Sequence, residues 1–83
     1  MKVSFTRDAW EDYASWANER TILKRINRMI EEAARDPATG IGKPERLSHN
    51  LSSYWSRRIT DEHRLVYQLR DEELIIVQAR YHY

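Results

Sequence analysis

Three strand-like runs, residues 54–60, 64–69 and 74–82, follow one another closely at the C-terminal end of this 83-residue chain. Only the polar turns Asp61-Glu62-His63 and 70–73 separate them. A parallel crossover needs about a dozen residues or more. Turns this short therefore force neighbouring strands to pair antiparallel, as a meander.

A meander must cover one face, and the N-terminal half supplies the cover. Residues 2–6 alternate as a short strand with Val3 and Phe5 on one side. In a first helix of roughly residues 7–18, Trp10, Tyr13, Trp16 and Ala17 recur at helical steps, and Thr6 or Asp8 can cap it. This aromatic stripe reads as core. A second helix over 20–35 puts Ile22, Ile26, Met29, Ile30 and Ala33 on one face, with Lys24, Arg25, Arg28, Glu31 and Glu32 outside it. Pro37 ends that helix, and a loop with Gly40, Gly42 and Pro44 runs to Tyr54. The expectation is one α+β domain over residues 1–83: two N-terminal helices packed on an antiparallel sheet of about four strands.

Composition excludes several classes. No cysteine is present, so disulfides and thiolate chemistry are ruled out. No His/carboxylate spacing suits zinc, so neither a metal nor another cofactor is expected. The glycine-rich run Gly40-Ile-Gly-Lys43 lacks the phosphate-loop spacing. No stretch approaches a membrane span or a signal peptide, and the expected location is cytoplasmic. The net charge of +1 hides an asymmetry. Residues 37–60 carry Lys43, Arg46, Arg57 and Arg58 against Glu45 alone.

Strand parity sorts the meander into two faces. Trp55, Arg57 and Ile59, then Leu65, Tyr67 and Leu69, then Ile75, Val77 and Ala79, form the more apolar side, on which Tyr81 also falls. The other side collects Arg58, Arg64, Arg80 and His82. One reading is a solvated face that keeps the domain soluble. The other is a site, with Glu45 supplied from the basic loop. Arginines bind phosphate oxygens in pairs and stay charged. Cleavage of RNA by its own 2′-hydroxyl needs a base, an acid and cations for the phosphorane. On this second reading Glu45 is the base, His82 the acid and Arg64 the stabiliser. His49 and His63, in a polar loop and a charged turn, carry weaker signals.

The runs Gly42-Lys-Pro-Glu-Arg-Leu47, His49-Asn-Leu-Ser52, Tyr54-Trp-Ser-Arg-Arg-Ile-Thr60, Glu62-His-Arg-Leu-Val-Tyr67 and Ala79-Arg-Tyr-His-Tyr83 resemble the YoeB/Txe family within the wider RelE-like group. That family comprises toxins of bacterial type II toxin–antitoxin pairs, and the resemblance covers the whole chain. It implies a microbial-ribonuclease-like fold and an mRNA endonuclease working in the A site of the 70S ribosome. It also implies inhibition by a YefM-like antitoxin, with a homodimer as a further assembly to test. By motif it assigns Glu45 as general base, Arg64 as phosphate stabiliser, His82 as general acid, Tyr83 to mRNA positioning and Arg58 to a phosphate contact. Ser48 stands where relatives often place a lysine, which bears on RNA affinity rather than on chemistry. The competing class is a non-catalytic RNA- or ribosome-binding module that blocks the A site. Such a module would need neither Glu45 nor His82.

Overall fold

In the computed structural model, which describes residues 1–47 and 53–81, the elements run β1 (Lys2–Phe5), α1 (Arg7–Ala14), α2 (Arg20–Arg35), β2 (Glu45–Arg46), β3 (Tyr54–Arg58), β4 (Arg64–Arg70) and β5 (Glu73–Gln78). Thr6, extended at φ −68°, accepts from the Ala9 N–H at 3.1 Å and so caps α1. The helix ends at Ala14, earlier than its periodicity suggests, and residues 15–18 continue as turns. A hydrogen bond from the Tyr13 hydroxyl to Asn27 Oδ1, 2.6 Å, ties α1 to α2.

The sheet order is β1-β5-β4-β3-β2. The meander β3-β4-β5 pairs antiparallel as its short turns require. The expected α+β architecture holds, with two differences in the sheet. It has five strands rather than about four, because the two-residue β2 forms inside what reads as loop and pairs with β3. It is also mixed, because β1 joins β5 in parallel, Phe5 beside Ile76. β1 is separated from β5 by both helices and three strands, so no short turn dictates its direction.

Ala9 and Trp16, then Ile26, Met29 and Ala33 of α2, pack with Ile59, Leu65, Tyr67, Leu74, Ile76 and Ala79 to form the core on one sheet face. Here β5 departs from its parity reading. Leu74 and Ile76 are fully buried, while Ile75 and Val77 are only partly so. The cause is in the register: Tyr67 pairs with Ile76, yet Val66 pairs with Gln78. β5 thus carries one extra residue at Val77, a bulge that returns Ala79 to the core side. The aromatic stripe is also only partly core. Trp16 is buried, but Trp10 is 55 % exposed, stacking on Tyr13 at 5.6 Å and meeting Phe5 edge-on.

Candidate active site

The loop after α2 is held by one side chain. Arg57 follows the apolar parity of β3 and is fully buried. Its Nε donates to the Tyr67 hydroxyl at 2.9 Å and its Nη1 to the Ile41 carbonyl at 3.1 Å. Its Nη2 reaches the carbonyls of Thr39 at 2.6 Å, Asp36 at 3.1 Å and Pro37 at 3.4 Å. The Tyr67 hydroxyl in turn donates to Pro37 O at 2.8 Å. Glu32 supplies the counter-charge 3.6 Å from Nη1 and accepts the Ile41 N–H at 2.7 Å. A buried guanidinium is tolerated only when paired and hydrogen-bonded, and this one saturates its donors with loop carbonyls.

The electrostatics follow from these contacts. The Ile41 N–H, then the Arg28 guanidinium, hold the Glu32 carboxyl below the ordinary glutamate range, and Arg57 adds to the effect. Burial pushes the Tyr67 phenol up, against the opposing pull of Arg57. The chain comes so close here that a Cβ at Gly40 would run into the Glu32 carboxylate and Arg57. Gly42, at φ +86°, passes its carbonyl to the Arg58 N–H at 2.6 Å. The stapled loop then enters β2, which places Glu45 in register with Ser56.

That register puts Glu45 on the face away from the helices. One row across the sheet reads Glu45, Ser56, Val66, Gln78. The neighbouring row pairs Arg58 directly with Arg64. Strands lie about 4.8 Å apart, so Glu45 sits about 10 Å across the sheet from the line of β4. Flexible glutamate and arginine side chains can meet on one phosphodiester over that span. Ser56 and Val66, in the row of Glu45, are buried and floor the face beside the arginine pair.

Two guanidinium side chains opposed on adjacent strands repel each other. Among the described residues the arginine ion pairs are made by Arg7, Arg28, Arg35 and Arg57, not by Arg58 or Arg64. Arg64 is partly steadied by the preceding turn, its Nη1 donating to Thr60 O at 2.8 Å and to the carbonyls of Asp61 and His63 at 3.2 Å. Arg58 is exposed, and with Lys43 it lines a cleft of about 420 Å³ at the loop edge. An anion with several oxygens would relieve the repulsion. Of the basic stretch, Arg57 is spent on the loop and Arg46 lies over the Trp55 ring at 5.5 Å.

The chain end is fastened beside Arg64. The Ala79 N–H donates to Asp12 Oδ2 at 3.1 Å, and Trp16 Nε1 donates to Ala79 O at 2.8 Å. Arg80, expected on the open face, instead stacks 4.0 Å over Trp16 and donates to Ser15 Oγ at 2.8 Å. Tyr81, expected on the core side, is 64 % exposed. Both departures follow the end of β5 at Gln78, beyond which the strand pleat no longer sets the side, and Tyr81 turns at φ +62°. The Tyr81 carbonyl accepts the backbone N–H of Arg64 at 2.9 Å. His82 and Tyr83, like Ser48 and His49, lie outside the described residues. Among the described residues no cluster of three or more His, Asp or Glu side chains could hold a metal ion.

The structure thus puts Glu45, Arg58 and Arg64 on one face. Sequence reasoning places Arg58 and Arg64 there by parity and leaves Glu45 in the loop. It misses the staple made by Arg57 and the part played by His63, whose Nδ1 accepts the Tyr81 N–H at 2.8 Å. For Arg57 the signal was present, since a charge on the apolar parity of a strand demands partners. For His63 only its place beside Arg64 hints at a role.

The family model described as "YoeB-like toxin of bacterial type II toxin-antitoxin system" matches residues 5–83. A Streptomyces coelicolor protein, "Toxin YoeB", is 60 % identical over 84 residues, covering all of both chains. A solved YoeB/ParE toxin from Agrobacterium tumefaciens superposes with a TM-score of 0.91 at 42 % identity, again over all of both chains. The toxin of a heterotetrameric YoeB–YefM complex from Staphylococcus aureus gives a TM-score of 0.87 at 41 % identity, over 100 % of this chain and 98 % of that one.

Proposed function

The chain belongs to the YoeB-like toxin family of bacterial type II toxin–antitoxin systems, and on that premise we propose that it is a metal-independent endoribonuclease cutting mRNA in the A site of the 70S ribosome. The observation that carries this reading is the opposed pair Arg58 and Arg64, one row from Glu45 on an open sheet face. Glu45 takes the proton of the ribose 2′-hydroxyl as that oxygen attacks phosphorus. Arg64, with Arg58, neutralises the pentacoordinate phosphorane. His82 gives its proton to the departing 5′-oxygen, and Tyr83 positions the message. The products are a 2′,3′-cyclic phosphate and a 5′-hydroxyl, and the atoms balance without a metal-bound nucleophile.

The hydrogen bond from the Arg64 N–H to Tyr81 O supports the role of His82, because that carbonyl belongs to the peptide joining Tyr81 to His82. The cognate inhibitor is a YefM-like antitoxin, by likeness to the Staphylococcus aureus complex. The test is primer extension on a translated message after induction of the protein. Discrete cuts that vanish in a Glu45→Ala, His82→Ala double variant support the reading. Growth arrest that survives in the double variant, with the message uncut, contradicts it and favours an A-site blocker.

A further inference from the structure

The cleavage reading makes no use of His63, yet His63 makes the contact that fixes where the chain end leaves the sheet. Tyr81 has a φ of +62°, in the left-handed region that bulky residues seldom adopt. Such a conformation persists only where its surroundings over-determine it. Three hydrogen bonds do so here. The Tyr81 N–H donates to His63 Nδ1 at 2.8 Å, and the Tyr81 carbonyl accepts the Arg64 N–H and Gln78 Nε2, each at 2.9 Å. The imidazole is itself wedged between two rings, edge-on to Trp16 at 4.9 Å and tilted against Tyr81 at 5.3 Å. Trp16 is buried and hydrogen-bonded to Ala79 O, so the wedge has a rigid back.

We propose that His63 is a positioning residue: its neutral ring, accepting at Nδ1, latches the Tyr81 peptide and so sets the place from which His82 and Tyr83 reach the scissile phosphate. This rests on the reading of His82 as the general acid. A neutral imidazole that accepts at Nδ1 carries its proton on Nε2. Protonation puts a second N–H at Nδ1, facing the Tyr81 N–H, and the latch opens. Of the charged groups, Arg80 lies on the two rings that hold the imidazole, 4.0 Å over Trp16 and 5.6 Å over Tyr81. Arg64 donates to the His63 carbonyl, Asp12 accepts the Ala79 N–H, and Asp61 and Glu62 precede His63 in the turn.

Two substitutions separate a latch from simple packing. His63→Phe keeps a ring against Trp16 but has no acceptor. His63→Asn places an amide oxygen near the position of Nδ1 and does not titrate. Misplacing a reacting group by about 1 Å costs on the order of 100-fold. Single-turnover cleavage of a ribosome-bound message by His63→Phe is expected to slow by about tenfold to 100-fold with KM unchanged. His63→Asn is expected to recover most of the rate. Amide exchange of Tyr81 reads the latch without cleavage. Protection should be lost in His63→Phe, fall in the parent as His63 is protonated, and stay constant with pH in His63→Asn. If His63→Phe keeps parental cleavage and protection, or His63→Asn is as impaired as His63→Phe, the proposal is wrong. A parent protein that cuts no message at all overturns the ribonuclease reading and the positioning role with it, even where the Tyr81 protection pattern shows that the latch exists.

Discussion

Arg57 and Arg58 are neighbours in β3 with opposite fates. Arg57 points into the helix-covered side, is fully buried, and gives its donors to Tyr67 and to the carbonyls of residues 36, 37, 39 and 41. Arg58 points the other way, is exposed, and faces a second arginine across the strand pair. The two have the same side chain and differ by one step of a pleat. An arginine whose donors are taken up by loop carbonyls, a buried tyrosine hydroxyl and a paired carboxylate is a structural clamp. One held against another cation on an open face is suited to an anion that has not yet arrived. The same contrast separates the two glutamates. Glu32 is committed to Arg57, Arg28 and the Ile41 N–H, whereas Glu45 is exposed on the open face.

Removing side chains from the buried and the open side in turn should separate their roles. Glu45→Ala is expected to lower cleavage by about 100- to 10,000-fold, the usual range for losing a proton-transfer group. Its unfolding free energy in urea should stay near the parent, within about 0.5 kcal/mol. A large loss of stability would place Glu45 with the structural residues instead. Arg57→Ala is expected to do the reverse, costing about 3 kcal/mol because it strands several loop carbonyls and leaves a cavity where the guanidinium was buried. Arg58→Ala in the same urea series should be nearly neutral, and equal destabilisation by the two arginines would erase the distinction.

Smaller effects refine the clamp. Tyr67→Phe removes the hydroxyl that accepts from Arg57 and donates to Pro37 O, and should cost about 1–2 kcal/mol. The smallest effect is a pH dependence. Glu32 has its folded value held below the ordinary 4.5. Its contribution is therefore fully present above that ordinary value and is lost as pH falls through the lower folded value. Acid titrations of stability should show a shallower loss below about pH 4.5 in Glu32→Gln than in the parent. Parallel acid limbs would mean that Glu32 is not coupled to folding.

Much of this division was legible in the sequence, but unevenly. The second helix was read to its ends because its apolar period is unbroken from Ile22 to Ala33 and Pro37 follows it. Arg58 and Arg64 were assigned to one face because β3 and β4 keep a regular pleat. Parity fails in the first part of β5, where the extra residue at Val77 leaves Leu74 and Ile76, rather than Ile75 and Val77, facing the core. Arg80 and Tyr81 lie beyond the end of β5 at Gln78, where the pleat no longer orders side chains. A bulge leaves no mark in an alternating pattern of Ile, Val and Ala. The strand β2 was hidden for a different reason: two residues carry no periodicity, and only pairing with β3 defines it. Arg57 was placed on the apolar side, but its partners are loop carbonyls, which sequence composition does not reveal.

On the reading proposed above, the open face bearing Glu45, Arg58 and Arg64 cleaves RNA through the ribose 2′-hydroxyl. The most direct test is the chemistry of the new ends made on a message translated by purified 70S ribosomes. The expected downstream fragment carries a 5′-hydroxyl, labelled by polynucleotide kinase without prior phosphatase, and the upstream fragment carries a 2′,3′-cyclic phosphate. A downstream fragment that begins with a 5′-phosphate would contradict the claim.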